Sequence, residues 1–251
     1  MHKPYPLYRH LFWLIPLLLS VGMLVYLAVF LSNYRRAIQQ AEPPVETLPV
    51  QPAPPVVVPE PALPASALLS VPFTVQAPLG NWDALHEEAC EEASLMMVKY
   101  YFNNQAFGSP QQVDQEIKDL VSWETAHGYQ VDLTASELVT VAQSYYGLTT
   151  GRVLTDPTVE DIKHELANGN LVVVPAAGQI LPNPYFTPPG PVYHMLVIKG
   201  YSETEFITND PGTKHGDGFR YLYQDLLGAN HSWNADNILQ GEKQIIVFSA
   251  Q

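Results

Sequence analysis

Only one of the 251 residues is cysteine, Cys90. That excludes an intramolecular disulfide framework and a four-cysteine zinc site. Positive charge is scarce too. There are 12 lysines and arginines against 25 aspartates and glutamates, a net charge of −13. Four of the cations, Lys3, Arg9, Arg35 and Arg36, precede residue 40; from Ser70 onward 8 basic residues stand against 22 acidic ones. A body of that charge repels nucleic acid, so no nucleic-acid partner is expected. The acidity suits basic substrates or, more simply, a soluble surface. No glycine-rich phosphate loop, internal repeat or zinc-type Cys/His pattern occurs, and no cofactor or metal is expected.

Residues 11–31, LFWLIPLLLSVGMLVYLAVFL, lack charge altogether. At about 1.5 Å per residue, such a helix reaches roughly 30 Å, enough for a hydrocarbon core. The run is too long for a signal-peptide core, and no small-x-small cleavage site follows it. It is therefore expected to be a single membrane anchor whose partner is the lipid bilayer. Lysine and arginine counts tie across it. The short N-terminal tail, residues 1–10, and the large acidic body suggest tail inside and domain outside. The expected location is the cell membrane with an extracytoplasmic C-terminal domain. Residues 32–68 read as a juxtamembrane and Pro-rich linker. Nine of the 25 residues in 41–65 are proline, which removes donors and fixes φ, favouring an extended spacer.

The folded domain is expected over residues 69–251. Its central stretch, residues 87–102 (EEACEEASLMMVKYYF), reads as a helix, with Ala89, Ala93, Met96, Met97 and Tyr100 near the 3.6-residue period. Cys90 sits near its start, where backbone N–H groups and the dipole can support a thiolate. A lone buried cysteine is equally compatible with a packing role. Three amphipathic helices should follow, opened by Ser109-Pro110, by the capping box of Thr134 with Glu137, and by Asp156 or Thr158. Then the pattern changes: 171–174, 193–200, 205–208 and 244–248 read as strands, and 221–227 as a short helix. Helices first and strands second imply α+β.

A thiol nucleophile needs a base, and the base needs a group to fix its ring. His194 opens a hydrophobic strand after a long loop rich in proline, glycine and aromatics. Asp210, in the turn signature NDPG, ends the neighbouring strand. If those strands are antiparallel neighbours, the two side chains can meet, with Asn209 as the alternative partner. His86, one turn before Cys90, reads as a surface residue, and His215 with Asp217 as a solvated loop. Tyr185 and Phe186 are candidates for lining a groove.

VPFTVQAP, NWD, CEEASLMMVKYY, HMLVIKGY and NDPG, in that order, resemble the C39-like branch of the papain-like cysteine peptidases. The resemblance runs from about residue 70 to the C-terminus. It implies a papain-like fold, helical part first and antiparallel sheet second, and a peptide or protein substrate. It also implies a cysteine-type hydrolase working through a thioester, with Cys90 as nucleophile, His194 as base, Asp210 orienting the ring and Gln76 donating to the oxyanion. Gln76 lies 14 residues before Cys90, further than in papain itself. A peptide-binding module without turnover, or a thioester-forming acyl transferase, would use the same fold.

Overall fold

The computed structural model describes residues 11–41 and 63–250, with side chains from residue 19 in the first segment. The chain divides into two units, Met1–Val58 and Pro59–Gln251. The first contains one helix, α1 (Leu11–Ala41). This helix does not stop with the apolar run. It continues through Ser32, Asn33, Arg35 and Arg36, so its described side chains, 19–40, divide between an apolar and a polar stretch. Among the described residues no helix is long and apolar enough to cross a membrane. The expected anchor at 11–31 is corrected accordingly. The bilayer partner, cell-membrane location and extracytoplasmic orientation inferred from it go with it. The N-terminal tail and the core of the proline-rich linker, residues 42–62, lie outside the described residues.

The second unit is α+β, as its sequence pattern implies. After the two-residue β1 (Ala67–Leu68) come α2 (Cys90–Phe102), α3 (Pro110–Ala126) and α4 (Ala135–Tyr146). Helix α3 starts with a capping box of Ser109 and Gln112 and with Pro110 in the first turn. Helix α4 starts with the box of Thr134 and Glu137 and stops at Gly147, in the left-handed region at φ 71°. Strand β2 (Arg152–Thr155), α5 (Val159–Ala167) and β3 (Leu171–Ala176) follow. Thr158, not Asp156, caps α5. The chain ends with β4 (His194–Tyr201), β5 (Glu205–Asn209), β6 (Asp217–Leu222), α6 (Tyr223–Ala229) and β7 (Gln244–Phe248).

The strands form one antiparallel sheet in the order β2-β7-β3-β4-β5-β6, with β1 added to β4. Its central strands are apolar on both faces because helices or loops cover both. Val173, Met195, Val197 and Ile246 pack with α2 and α4. The alternate residues Val172, Val174, Leu196, Ile198 and Ile245 pack with α5 and α6. Helix α2 therefore lies against the middle of the sheet. Ser94 Oγ donates to the carbonyl of Met195 at 3.2 Å, tying the helix directly to β4.

Candidate active site

Helix α2 begins at Cys90, three residues later than the expected start at residue 87. The reason is a contact from outside the helix. Gln76 Nε2 donates to the carbonyls of His86 (2.8 Å) and Glu87 (3.0 Å), the two acceptors that an α-helix would offer to the N–H groups of Cys90 and Glu91. The first helical carbonyl is that of Ala89, which receives the N–H of Ala93 at 3.2 Å. Cys90 thus opens the first turn, whose N–H groups have no acceptor within the helix.

The cysteine is 4 % exposed. Its Sγ donates to Glu91 Oε2 at 2.8 Å and accepts from the backbone N–H of Met195 at 3.3 Å. The second contact places the sulfur one residue along β4 from His194. Burial pushes the thiol well above its ordinary range, and the neighbouring Glu91 carboxylate adds to this, against the opposing Met195 N–H.

His194 is buried at the start of β4. Its Nε2 lies 2.7 Å from Asp210 Oδ1. Strands β4 and β5 pair antiparallel, with Val197 opposite Asn209, so Asp210, just past β5, falls beside the opening of β4. With Nε2 engaged, Nδ1 is the ring nitrogen left for a reacting proton. The Asp210 carboxylate is fully surrounded: Oδ1 also accepts from the Gly212 N–H (3.0 Å), and Oδ2 from Tyr221 (2.6 Å) and Asn183 (3.0 Å). Burial by itself would raise this carboxyl. The charge and hydrogen bond of His194, with the donors Tyr221 and Gly212, outweigh it and hold the group below its ordinary value. Asn209 serves elsewhere, its Nδ2 donating to the carbonyls of Val71 and Pro72.

A cleft of about 970 Å³ opens against His194 and Gln76. Its walls include Trp82, Glu87, Glu88, Asp132, Phe186, Gly212 and Trp233. Phe186 meets the His194 ring edge-on at 5.3 Å. Tyr185 stacks on His215 at 4.2 Å, and both belong to the cleft wall. The groove role expected of Tyr185 and Phe186 therefore has a cleft to serve. Cys90 is not part of the wall, so the thiol must leave Glu91 to meet a ligand there.

Two participants escaped the sequence reading, Asn183 and Tyr221, which hold the carboxylate behind His194. Glu91, whose place beside Cys90 in the sequence marks it as a like charge that raises a thiol, is the residue that contacts it. Tyr221 lies in β6, a strand whose sequence reads in part as a short helix. Asn183 lies in a proline-rich loop with no periodic signal. His86 is buried, not on the surface. Its Nδ1 lies 2.7 Å from Asp83, and its Nε2 lies 2.9 Å from Asp114, out of line for a hydrogen bond. No group of three or more potential metal ligands occurs among the described residues.

Comparison with known proteins identifies the family. A solved structure from Bacillus anthracis, described as a candidate C39-like peptidase, is 17 % identical with a TM-score of 0.49, over 74 % of this chain and 98 % of that one. A comparison with curated proteins finds no match. The model of the Peptidase_C39 like family matches residues 68–237, about two thirds of the chain and nearly all of the described second unit. The chain belongs to the Peptidase_C39 like family.

Proposed function

We propose that the second unit is a cysteine peptidase in which Cys90 is the nucleophile, His194 the general base and acid, and Asp210 the group that orients the imidazole. The observation that supports this reading is the backbone contact from Met195 to Cys90 Sγ at 3.3 Å, because Met195 follows directly on a histidine that a buried carboxylate fixes. Membrane anchoring forms no part of the proposal.

Cys90 Sγ attacks the peptide carbonyl carbon while its proton passes to His194 Nδ1. The negative charge collects on the carbonyl oxygen. The C–N bond then breaks, the proton moves from His194 to the departing amine, and a thioester remains. Water adds to the thioester with His194 as base. The C–S bond breaks, the carboxylic acid leaves, and the thiol regains its proton. The N–H of Cys90, free at the helix start, is suited to the oxyanion. Gln76 contributes differently from a simple donor. Both hydrogens of Nε2 are engaged by His86 and Glu87, so it keeps the helix from starting early and leaves the Cys90 N–H available. It becomes an oxyanion donor itself only by releasing one of those carbonyls.

The test is incubation of the full chain with a mixed peptide library and detection of new termini by mass spectrometry. Cleavage by the wild type and none by Cys90→Ala is expected. Equal cleavage by both, or none by either, would contradict a Cys90 peptidase. Bound but uncut peptide would then favour a non-catalytic binding module, and transfer to an added amine without hydrolysis would favour an acyl transferase.

A further inference from the structure

We infer that His86 is a positioning residue for the peptidase reaction. Its imidazole, gripped by Asp83 and Asp114, fixes the carbonyls that hold Gln76, and through Gln76 keeps the N–H of Cys90 in register with His194. The inference rests on the peptidase reading and adds a residue to it.

His86 is buried, 1 % exposed. Its Nδ1 lies 2.7 Å from Asp83 Oδ1. Its Nε2 lies 2.9 Å from Asp114 Oδ1, within reach of charge attraction though out of line for a hydrogen bond. With a carboxylate at each nitrogen, neither nitrogen is placed to take a proton from Cys90, although His86 stands one helical turn before it. His86 is therefore not a second base.

The two carboxylates come from different parts of the fold. Asp83 belongs to the stretch before α2 and also accepts the backbone N–H of His86 at 3.1 Å. Asp114 is a buried residue of α3, and its Oδ2 accepts from Lys118 Nζ at 2.8 Å. The imidazole thus fastens the approach to α2 onto α3, where Leu85 packs against the apolar cluster that includes Val113 and Ile117. Removing the ring would leave the two carboxylates without the group between them.

Gln76 depends on that fastening. It is 3 % exposed and lines the cleft. Its Nε2 donates to the carbonyls of His86 and Glu87, while its Oε1 has no hydrogen-bond partner. Those two carbonyls alone therefore orient the amide, and turning it over would set Oε1 against both. The backbone of Gln76 is tied to the other half of the site. Its N–H donates to the carbonyl of Pro211, next to Asp210, at 3.0 Å. One residue thus bridges the approach to α2 and the turn whose carboxylate holds His194. If the His86 carbonyl shifts, the Cys90 N–H shifts relative to His194, and about 1 Å of misplacement is enough to slow a reaction strongly.

Such a role predicts lost turnover with binding kept. The substrate is a peptide that the wild type cuts in the library test. In full-chain His86→Gln, kcat should fall at least tenfold while KM stays within about threefold. Alkylation of Cys90 by iodoacetamide, which forms no oxyanion, should also stay within about threefold. Asp114→Asn alone should lower kcat in the same direction, and it serves as the test if His86→Gln does not fold. His86→Gln/Asp114→Asn, which sets an amide against an amide, should regain at least threefold in kcat over His86→Gln. An unchanged kcat in either folded single variant, or a fall in kcat matched by an equal fall in alkylation, would overturn the inference alone. No cleavage by the wild type would remove the peptidase reading, and this role of His86 with it.

Discussion

At the scale of single residues, the thiol is held by the wrong partner for attack. Cys90 donates a hydrogen bond to Glu91, and burial followed by the Glu91 charge pushes the thiol well above its ordinary range. Alkylation of Cys90 by iodoacetamide should therefore rise steadily through alkaline pH, with no plateau near neutrality. Burial also pushes the Glu91 carboxyl well above its ordinary range; Glu91→Gln should speed labelling at pH 8 to 9 by severalfold, because it removes an acceptor that holds the thiol proton and any charge Glu91 carries beside the sulfur. Labelling unchanged or slower in that variant would show that Glu91 does not restrain the thiol. Behind His194, Asp210→Asn should lower kcat by about two to four orders of magnitude while peptide binding persists. Tyr221→Phe removes a hydrogen bond to a buried carboxylate and should cost about 1.5–3 kcal/mol of stability, read by chemical denaturation. Cys90, His194 and Asp210 stood out in the sequence as candidates because each occupies a chemically marked place: a helix start, the opening of an apolar strand and a turn. Glu91 was visible only as a like charge, since a sequence does not say which way a carboxylate points.

At the scale of elements, start signals written locally were readable and those set by tertiary contacts were not. The capping boxes of α3 and α4 name their own first residues. Helix α2 has no side-chain cap; its start is set by Gln76 from 14 residues away. The sheet's inner strands were legible as apolar runs. Strands β1, β2 and β6 are short or only partly buried, so they carry little periodic signal. The turn after β5 offers a sharp test. A Cβ on Gly212 would stand 2.9 Å from both the His194 ring and Phe186. Gly212→Ala should displace the imidazole and reduce kcat/KM at least tenfold, with melting changed much less than activity. Full activity in that variant would show that the His194 ring has room to shift.

Another element-scale prediction concerns the carboxylates between α2 and α3. Burial, then the charge of Glu92 and a hydrogen bond to it, raises Glu124 from its ordinary 4.5 to about 11. The folded state thus binds that proton more tightly than the unfolded chain. Its stabilising contribution is complete below about 4.5 and is lost as pH rises toward about 11. The wild-type melting temperature should fall between pH 5 and pH 9. Glu124→Gln, which keeps the shape and cannot ionise, should fall less. Parallel pH profiles for the two proteins would contradict a buried, protonated Glu124.

At the scale of the whole molecule, the net charge of −13 supported either basic substrates or mere solubility, and the fold puts Glu87, Glu88 and Asp132 on the cleft wall together with the cation Lys214. The N-terminus carries a different lesson. A charge-free run of 21 residues suggested a bilayer span, yet the helix it belongs to runs on into a polar stretch. No described helix is long and apolar enough to cross a membrane. A pattern read over a window is blind to where the element holding it ends. The central claim is narrower than either point: a thiol activated by His194. Its most direct test is the rate at which a peptide-like electrophile labels Cys90 in the full chain, compared with His194→Ala after both are shown to be folded. The account predicts single labelling at Cys90 and at least a tenfold loss of rate in the variant. Equal rates, with Cys90 labelled fully in both after unfolding, would contradict it.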